Sequence, residues 1–149
     1  MGIFEGEIQT VKILIDTNII VDVALERQPF YSESVQVLSL VHRKEVEGYI
    51  SASTVSDLYY IIRKPKGREQ TIDFLRRIFT FCRVATVDES VISMALTANF
   101  RNFEDGIQYS TAVENKLDTI ITRDIADFPV TTPRILTPTQ LIQELSNSP

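Results

Sequence analysis

The sequence predicts an α/β fold, a three-layer α/β/α sandwich around a central, mainly parallel sheet. Short apolar runs bounded by turn or capping residues recur along the chain, and segments with apolar residues at helical spacing fall between them. A length of 149 residues with 44% hydrophobic side chains suits one compact core. No repeat, low-complexity stretch or linker interrupts it, so residues 1–149 read as a single domain.

The first strand is VKILID, residues 11 to 16, and TNIIVDVALER behind it reads as a helix with Asn18 as the expected N-cap. Gln28 and Pro29 break that pattern. A second helix, Ser32 to Lys44, places Val35, Leu38 and Val41 on one face. GYISA, residues 48 to 52, is the second strand. Thr54 is expected to cap the next helix, which runs through Val55, Leu58, Ile61 and Ile62, in a T-x-x-D arrangement with Asp57. A Pro- and Gly-containing loop is expected from Lys64 to Arg68, then a helix from Glu69 to Phe79 and the strand CRVATV, residues 82 to 87. Asp88 reads as the N-cap of a helix holding Val91, Ile92 and Ala95. Residues 103 to 116 form the next helix, DTIIT at 118 to 122 the fourth strand, and RIL at 134 to 136 the fifth. Thr137 to Gln140, TPTQ, has the capping-box pattern with Pro at the first helical position and opens the closing helix LIQEL.

Lys and Arg number 15 against 20 Asp and Glu, a formal net charge of -5. This counts against a simple nucleic-acid-binding module, which neutralises phosphates with a basic face. It agrees with a protein that holds divalent cations on surplus carboxylates and lets the metal meet a phosphate. Cys82 is the single cysteine, so an internal disulfide is excluded, and it reads as a small buried residue. His42 is the single histidine, in a VHRKE segment expected to be exposed, so neither a zinc cluster nor a histidine-dependent triad is available. MGIFEGEIQT lacks a basic region followed by an apolar core, and no apolar run reaches membrane-spanning length. The expected location is a reducing cytoplasm, with no membrane partner.

In open parallel sheets, ligands bind beyond the carboxyl ends of the strands, where strand order reverses. Asp16 ends the first strand, Asp124 follows the fourth, Asp57 stands early in the helix after the second, and Asp105 starts the helix before the fourth. Each alone has a structural reading: a turn or cap for Asp16, a capping partner for Asp57, a helix-dipole partner for Asp105, a turn for Asp124. Together, carboxylates from separate segments repel one another unless protons or cations hold them. Oxygen donors of this kind suit Mg²⁺ or Mn²⁺. Glu104 and Asp105 point about 100° apart on a helix, and Asp105 is the preferred member. Asp22 and Asp88 read as surface or capping residues.

ILIDTNIIVD, STVSDLYYI, FEDGIQYSTA and IITRDIADF, in that order, resemble the PIN domain, including the VapC-type toxin ribonucleases. The resemblance runs from about Val11 to Leu145. It implies that Asp16, Asp105 and Asp124 match the family's metal-binding aspartates, with Asp127 a further acidic contributor. Asn18 and Thr122 match polar positions near that site. Asp57 departs from the pattern, standing where the family usually carries Glu. The implied activity is Mg²⁺- or Mn²⁺-dependent cleavage of single-stranded or structured RNA leaving a 5′-phosphate; the implied partners are a second copy, as a homodimer, and a small antitoxin protein.

For flanking phosphates, Arg63, Lys64, Lys66 and Arg68 supply the densest basic run, beside the reading of a solvated helix end. Similarity to haloacid dehalogenase-type phosphatases is weaker, because their D-x-D-x-T meets Asp16, Thr17, Asn18 here. A receiver domain is weaker still, since Asp88 has no matching later Lys. The rival from another class is a PIN fold without catalysis, acting as a binding or scaffolding protein.

Overall fold

A computed structural model describes residues 10–147; the N-terminal stretch read above for a leader pattern lies, but for Thr10, outside them. The chain runs β1 (Lys12–Ile15), α1 (Thr17–Leu25), α2 (Tyr31–His42), β2 (Glu47–Ser51), α3 (Ala52–Lys66), α4 (Arg68–Ile78), β3 (Arg83–Ala85), α5 (Glu89–Ala98), α6 (Phe103–Glu114), β4 (Thr119–Ile121), a 3-10 turn (Ile125–Asp127), β5 (Arg134–Leu136) and α7 (Pro138–Ser146). The five strands are all parallel, in the order β3-β2-β1-β4-β5.

The central position of β1 follows from its sequence. KILI has apolar residues on both pleat faces, as a strand covered by helices on both sides requires. Ile13 and Ile15 enter one core with Ile19, Val37, Ile50, Leu58, Leu75 and Leu141, carried by β2 and by α1, α2, α3, α4 and α7. Leu14 points the other way, to Ala112, Ile120 and Phe128 beneath α6, and α5 packs on α6. These are the expected three layers. Gly48 lets α2 lie close on β2: a Cβ there would stand 2.7 Å from Val41 Cγ2 and 3.2 Å from Ile15 Cδ1.

The chain grows outward from β1 through β2 to β3, then returns to place β4 on the other side of β1. The strand order therefore reverses between β1 and β4, and the crevice at their carboxyl ends is where an α/β sheet of this kind takes its ligand.

Several local expectations are corrected. The N-cap of α1 is Asp16, not Asn18: its carboxylate accepts from Thr17 N at 2.8 Å. The N-cap of α3 is Ser51, not Thr54; Ser51 Oγ accepts from Ser53 N at 3.2 Å, while the Thr54 hydroxyl donates to the Ser51 carbonyl at 2.9 Å. Lys64 to Arg68 is not a loop. Helix α3 continues through Pro65 to Lys66, and Gly67, at φ 83°, is the joint to α4. The strand expected over residues 82 to 87 is reduced to Arg83–Ala85, because it is a sheet edge, with Arg83 and Val84 exposed. Cys82 is buried just before it, with its thiol pushed up to about 12 by burial. The capping roles of Asp88 and of Thr137 with Gln140 hold as read.

Candidate active site

Asp16 stands at the reversal point. Its backbone N–H donates to the Ile121 carbonyl at 3.0 Å, continuing the β1–β4 ladder, and its side chain then turns into the crevice. Three donors hold the carboxylate: Thr17 N at 2.8 Å and Gln108 Nε2 at 3.3 Å on Oδ1, and Thr122 Oγ1 at 2.8 Å on Oδ2. Burial raises its pKa above the ordinary carboxylate value against those three hydrogen bonds, and the charge of Asp124 raises it further. Thr122 Oγ1 also accepts from Asp124 N at 3.0 Å, so one buried hydroxyl orients Asp16 and fixes the start of the loop after β4.

A cleft of about 500 Å³ opens over this point, and the five aspartates expected at the site line it: Asp16, Asp57, Asp105, Asp124 and Asp127. Asn18 lines it too. Asp105 is set by the start of α6, where the N-cap Asn102 accepts from Glu104 N at 2.8 Å and Asp105 N at 3.3 Å. Its pKa is raised to about 6, first by burial and then by the charges of Asp127, Asp16, Glu104 and Asp124. Glu104 lines the cleft as well, but it is exposed where Asp105 is half-buried. Asp57 projects from the second turn of α3, exposed.

The donor set is all oxygen, which suits a hard divalent cation, and the mutual repulsion at Asp105 is the field such a cation would relieve. A second observation agrees: Gln108 Oε1 is buried at the cleft without a hydrogen-bond partner among the described residues. As they stand, no three His, Cys, Asp or Glu side chains among the described residues are grouped to hold a metal ion. The carboxylates would therefore hold a hard divalent cation only with water or further oxygen donors completing its coordination.

Gln108 and Tyr60 are cleft residues that the sequence reading assigned no role. Gln108 had a signal, since it stands three positions after Asp105 on the same helix face. The basic run is less unified than its spacing implied. None of Arg63, Lys64, Lys66 and Arg68 lines the acidic cleft, and Lys66 instead lines a separate hollow with Ile62, Phe74 and Arg77. Asp22, read as a surface or capping residue, is fully buried and paired with Arg123.

A parallel sheet in this order, with an acidic cleft at the β1–β4 reversal, defines the class: the chain belongs to the PIN domain family, whose profile matches residues 12–126. Among curated proteins, Ribonuclease VapC1 of Aquifex aeolicus (strain VF5) is 25% identical over 118 residues, covering 76% of this chain and 81% of that protein. The fold is shared with a toxin-antitoxin complex from Klebsiella pneumoniae, at TM-score 0.65 and 21% identity over 85% of this chain and 97% of that one. It is shared also with the DNA-bound VapBC of Salmonella typhimurium, at TM-score 0.66 and 16% identity over 87% and 99%.

Proposed function

We propose that the cleft is the active site of a metal-dependent endoribonuclease of the VapC type, hydrolysing RNA phosphodiester bonds with Mg²⁺ or Mn²⁺. The observation that carries this reading is the convergence of Asp16, Asp57, Asp105, Asp124 and Asp127 on one cleft at the point where strand order reverses. Similarity to Ribonuclease VapC1 supports RNA as the substrate. Asp16, Asp105 and Asp124, with Asp127, would hold the cation, and Asp57 would face it from α3. When bound, the cation supplies an activated water and neutralises charge developing on the phosphate.

The chain's own residues set the geometry. Asp16 is kept in one orientation by Thr122 and Gln108, so little reorganisation is left for the moment of reaction. The walls of Asp105 and Asp127 repel phosphate until a cation is present, which makes cleavage conditional on metal. Kinship with toxins of toxin-antitoxin complexes supports a small antitoxin partner.

Cleavage of RNA by the purified chain with Mg²⁺ or Mn²⁺, abolished by chelation and by Asp124→Asn, is the test. Asp57 standing in place of the family's usual Glu favours a second reading, a non-catalytic PIN fold that binds a partner. That reading requires no Mn²⁺-dependent cleavage and little thermal shift on adding metal.

A further inference from the structure

The cleft-facing side of α3 does not stop at Asp57. At about 100° per residue, positions 57, 60, 61 and 64 fall on one stripe of a helix. Ser53, Asp57, Tyr60 and Ile61 do line the cleft, while Leu58 and Ile62 are fully buried on the opposite side. Because α3 continues through Lys66, Lys64 stays on that stripe, exposed, about 10.5 Å along the axis from Asp57. The stripe thus reads carboxylate, aromatic ring, cation. Tyr60 is 62% exposed, and its ring meets Tyr59 edge-on, with centroids 5.1 Å apart and planes at 79°. A large ring left open beside an acidic crevice invites a flat partner.

Building on the nuclease reading, we propose that Tyr60 and Lys64 form a nucleotide subsite beside the cleft, with Tyr60 stacking one unpaired base and Lys64 taking a flanking phosphate. Such a subsite takes a single strand and not a duplex. A base can leave the strand to meet a ring standing on a helix only where it is unpaired, whereas in a duplex it is stacked on its neighbours. Charge complementarity supports the same occupant. A cation three to four positions beyond the ring meets the next phosphate, while the carboxylates, once loaded with metal, meet the scissile one. Arg63, about 120° off the stripe, and Lys66, about 180° off it, play no part in this subsite.

The test separates binding from cleavage. Affinity of the full chain is measured by fluorescence anisotropy in Ca²⁺, with probe integrity checked on a gel, for a short single-stranded oligoribonucleotide and for the same strand annealed to its complement. Tyr60→Ala is expected to weaken single-strand binding about 5- to 100-fold, the effect of losing one base–aromatic stack, and to leave duplex binding unchanged. Tyr60→Phe, which keeps the ring, should retain wild-type affinity. Lys64→Ala should reduce the slope of log affinity against log salt by about 0.7, the loss of one single-strand phosphate contact. Single-strand binding by Tyr60→Ala equal to wild type overturns the subsite, as does a wild-type chain that binds no single strand at all. Loss of binding by Tyr60→Ala in a chain that cleaves nothing in Mg²⁺ or Mn²⁺ overturns the nuclease reading and leaves the subsite standing.

Discussion

Arg123 lies across the buried carboxylate of Asp22, with Nε 3.0 Å from Oδ2 and Nη2 3.3 Å from Oδ1, and its guanidinium sits 3.8 Å from the centre of the Phe30 ring. Ser34 Oγ donates to the same Oδ2 at 3.2 Å, and Arg27 Nη1 approaches Oδ1 at 3.9 Å. Arg123 is the residue between Thr122, which orients Asp16, and Asp124. The pair therefore ties the loop after β4, one wall of the acidic cleft, to α1 and α2. Two charges taken out of water stabilise a fold only weakly when paired, but removing one strands the other.

Asp22→Ala is accordingly expected to destabilise the chain by about 3 to 5 kcal/mol, the cost of an uncompensated charge beside a buried site. Urea denaturation measures it. A loss below about 1 kcal/mol, the range of surface pairs, would mean that Arg123 swings out to solvent and that the loop does not depend on the pair.

Asp16→Asn and Asp124→Asn are expected to abolish Mg²⁺- or Mn²⁺-dependent cleavage while leaving the metal-free protein as stable as wild type or more so. Each removes one of the negative charges that raise the pKa of Asp105, and Asp124 also raises that of Asp16. In Asp16→Asn the amide oxygen still accepts one hydrogen bond, so the cap of α1 survives. Metal-free melting well below wild type would make these residues scaffolding instead.

Stability of the metal-free protein should fall as pH rises through the window from about 4 to 6. Asp105 is raised from the ordinary 3.8 to about 6, so in that window the folded state holds a proton that the unfolded state has released. The contribution is most favourable below the unfolded value and is lost above about 6. Asp16 is raised as well and acts in the same direction. Urea midpoints of wild type and Asp105→Asn across pH 4 to 7 in a chelating buffer check the sign: the difference between them should grow with pH in favour of the variant. A constant difference would remove the repulsive cluster from the account.

The sheet and the acidic cleft were legible because the residues that make them follow short-range rules. Ile13 to Ile15 in β1 and Ile120 with Ile121 in β4 are unbroken apolar runs, as parallel strands between helices require, and Asp16 and Asp124 each stand just past a strand's carboxyl end. The misplacements came from equivalent local choices. Asp16, Thr17 and Asn18 can all cap a helix, as can Ser51, Ser53 and Thr54, and only the strand register decides which one leaves the extended conformation last. The Pro and Gly of residues 64 to 68 signal a break, yet Pro65 falls in the last turn of α3 and Gly67 alone carries the change of direction. Asp22 looked like a solvent-facing helix position because its partner, Arg123, is 101 residues away and helical periodicity holds no trace of it.

Asp57 offers the sharpest separation of structure from function, because the structure removes its capping role. Thr54 is turned back to the Ser51 carbonyl and Ser51 caps α3, so Asp57 has no box to complete. An exposed carboxylate without that duty should be dispensable for folding. Asp57→Ala is expected to change stability by no more than about 0.5 kcal/mol, the usual range for surface substitutions. Because Asp57 lines the cleft with Asp16 and Asp105, the same change should lower metal-dependent cleavage strongly. Asp57→Glu adds one methylene to the reach from α3 and should preserve or increase cleavage. Urea midpoints and initial rates of cleavage in Mn²⁺ for the three proteins decide it. Full activity in Asp57→Ala would leave Asp16, Asp105 and Asp124, with Asp127, as the whole metal cluster and reduce Asp57 to a bystander on the cleft wall.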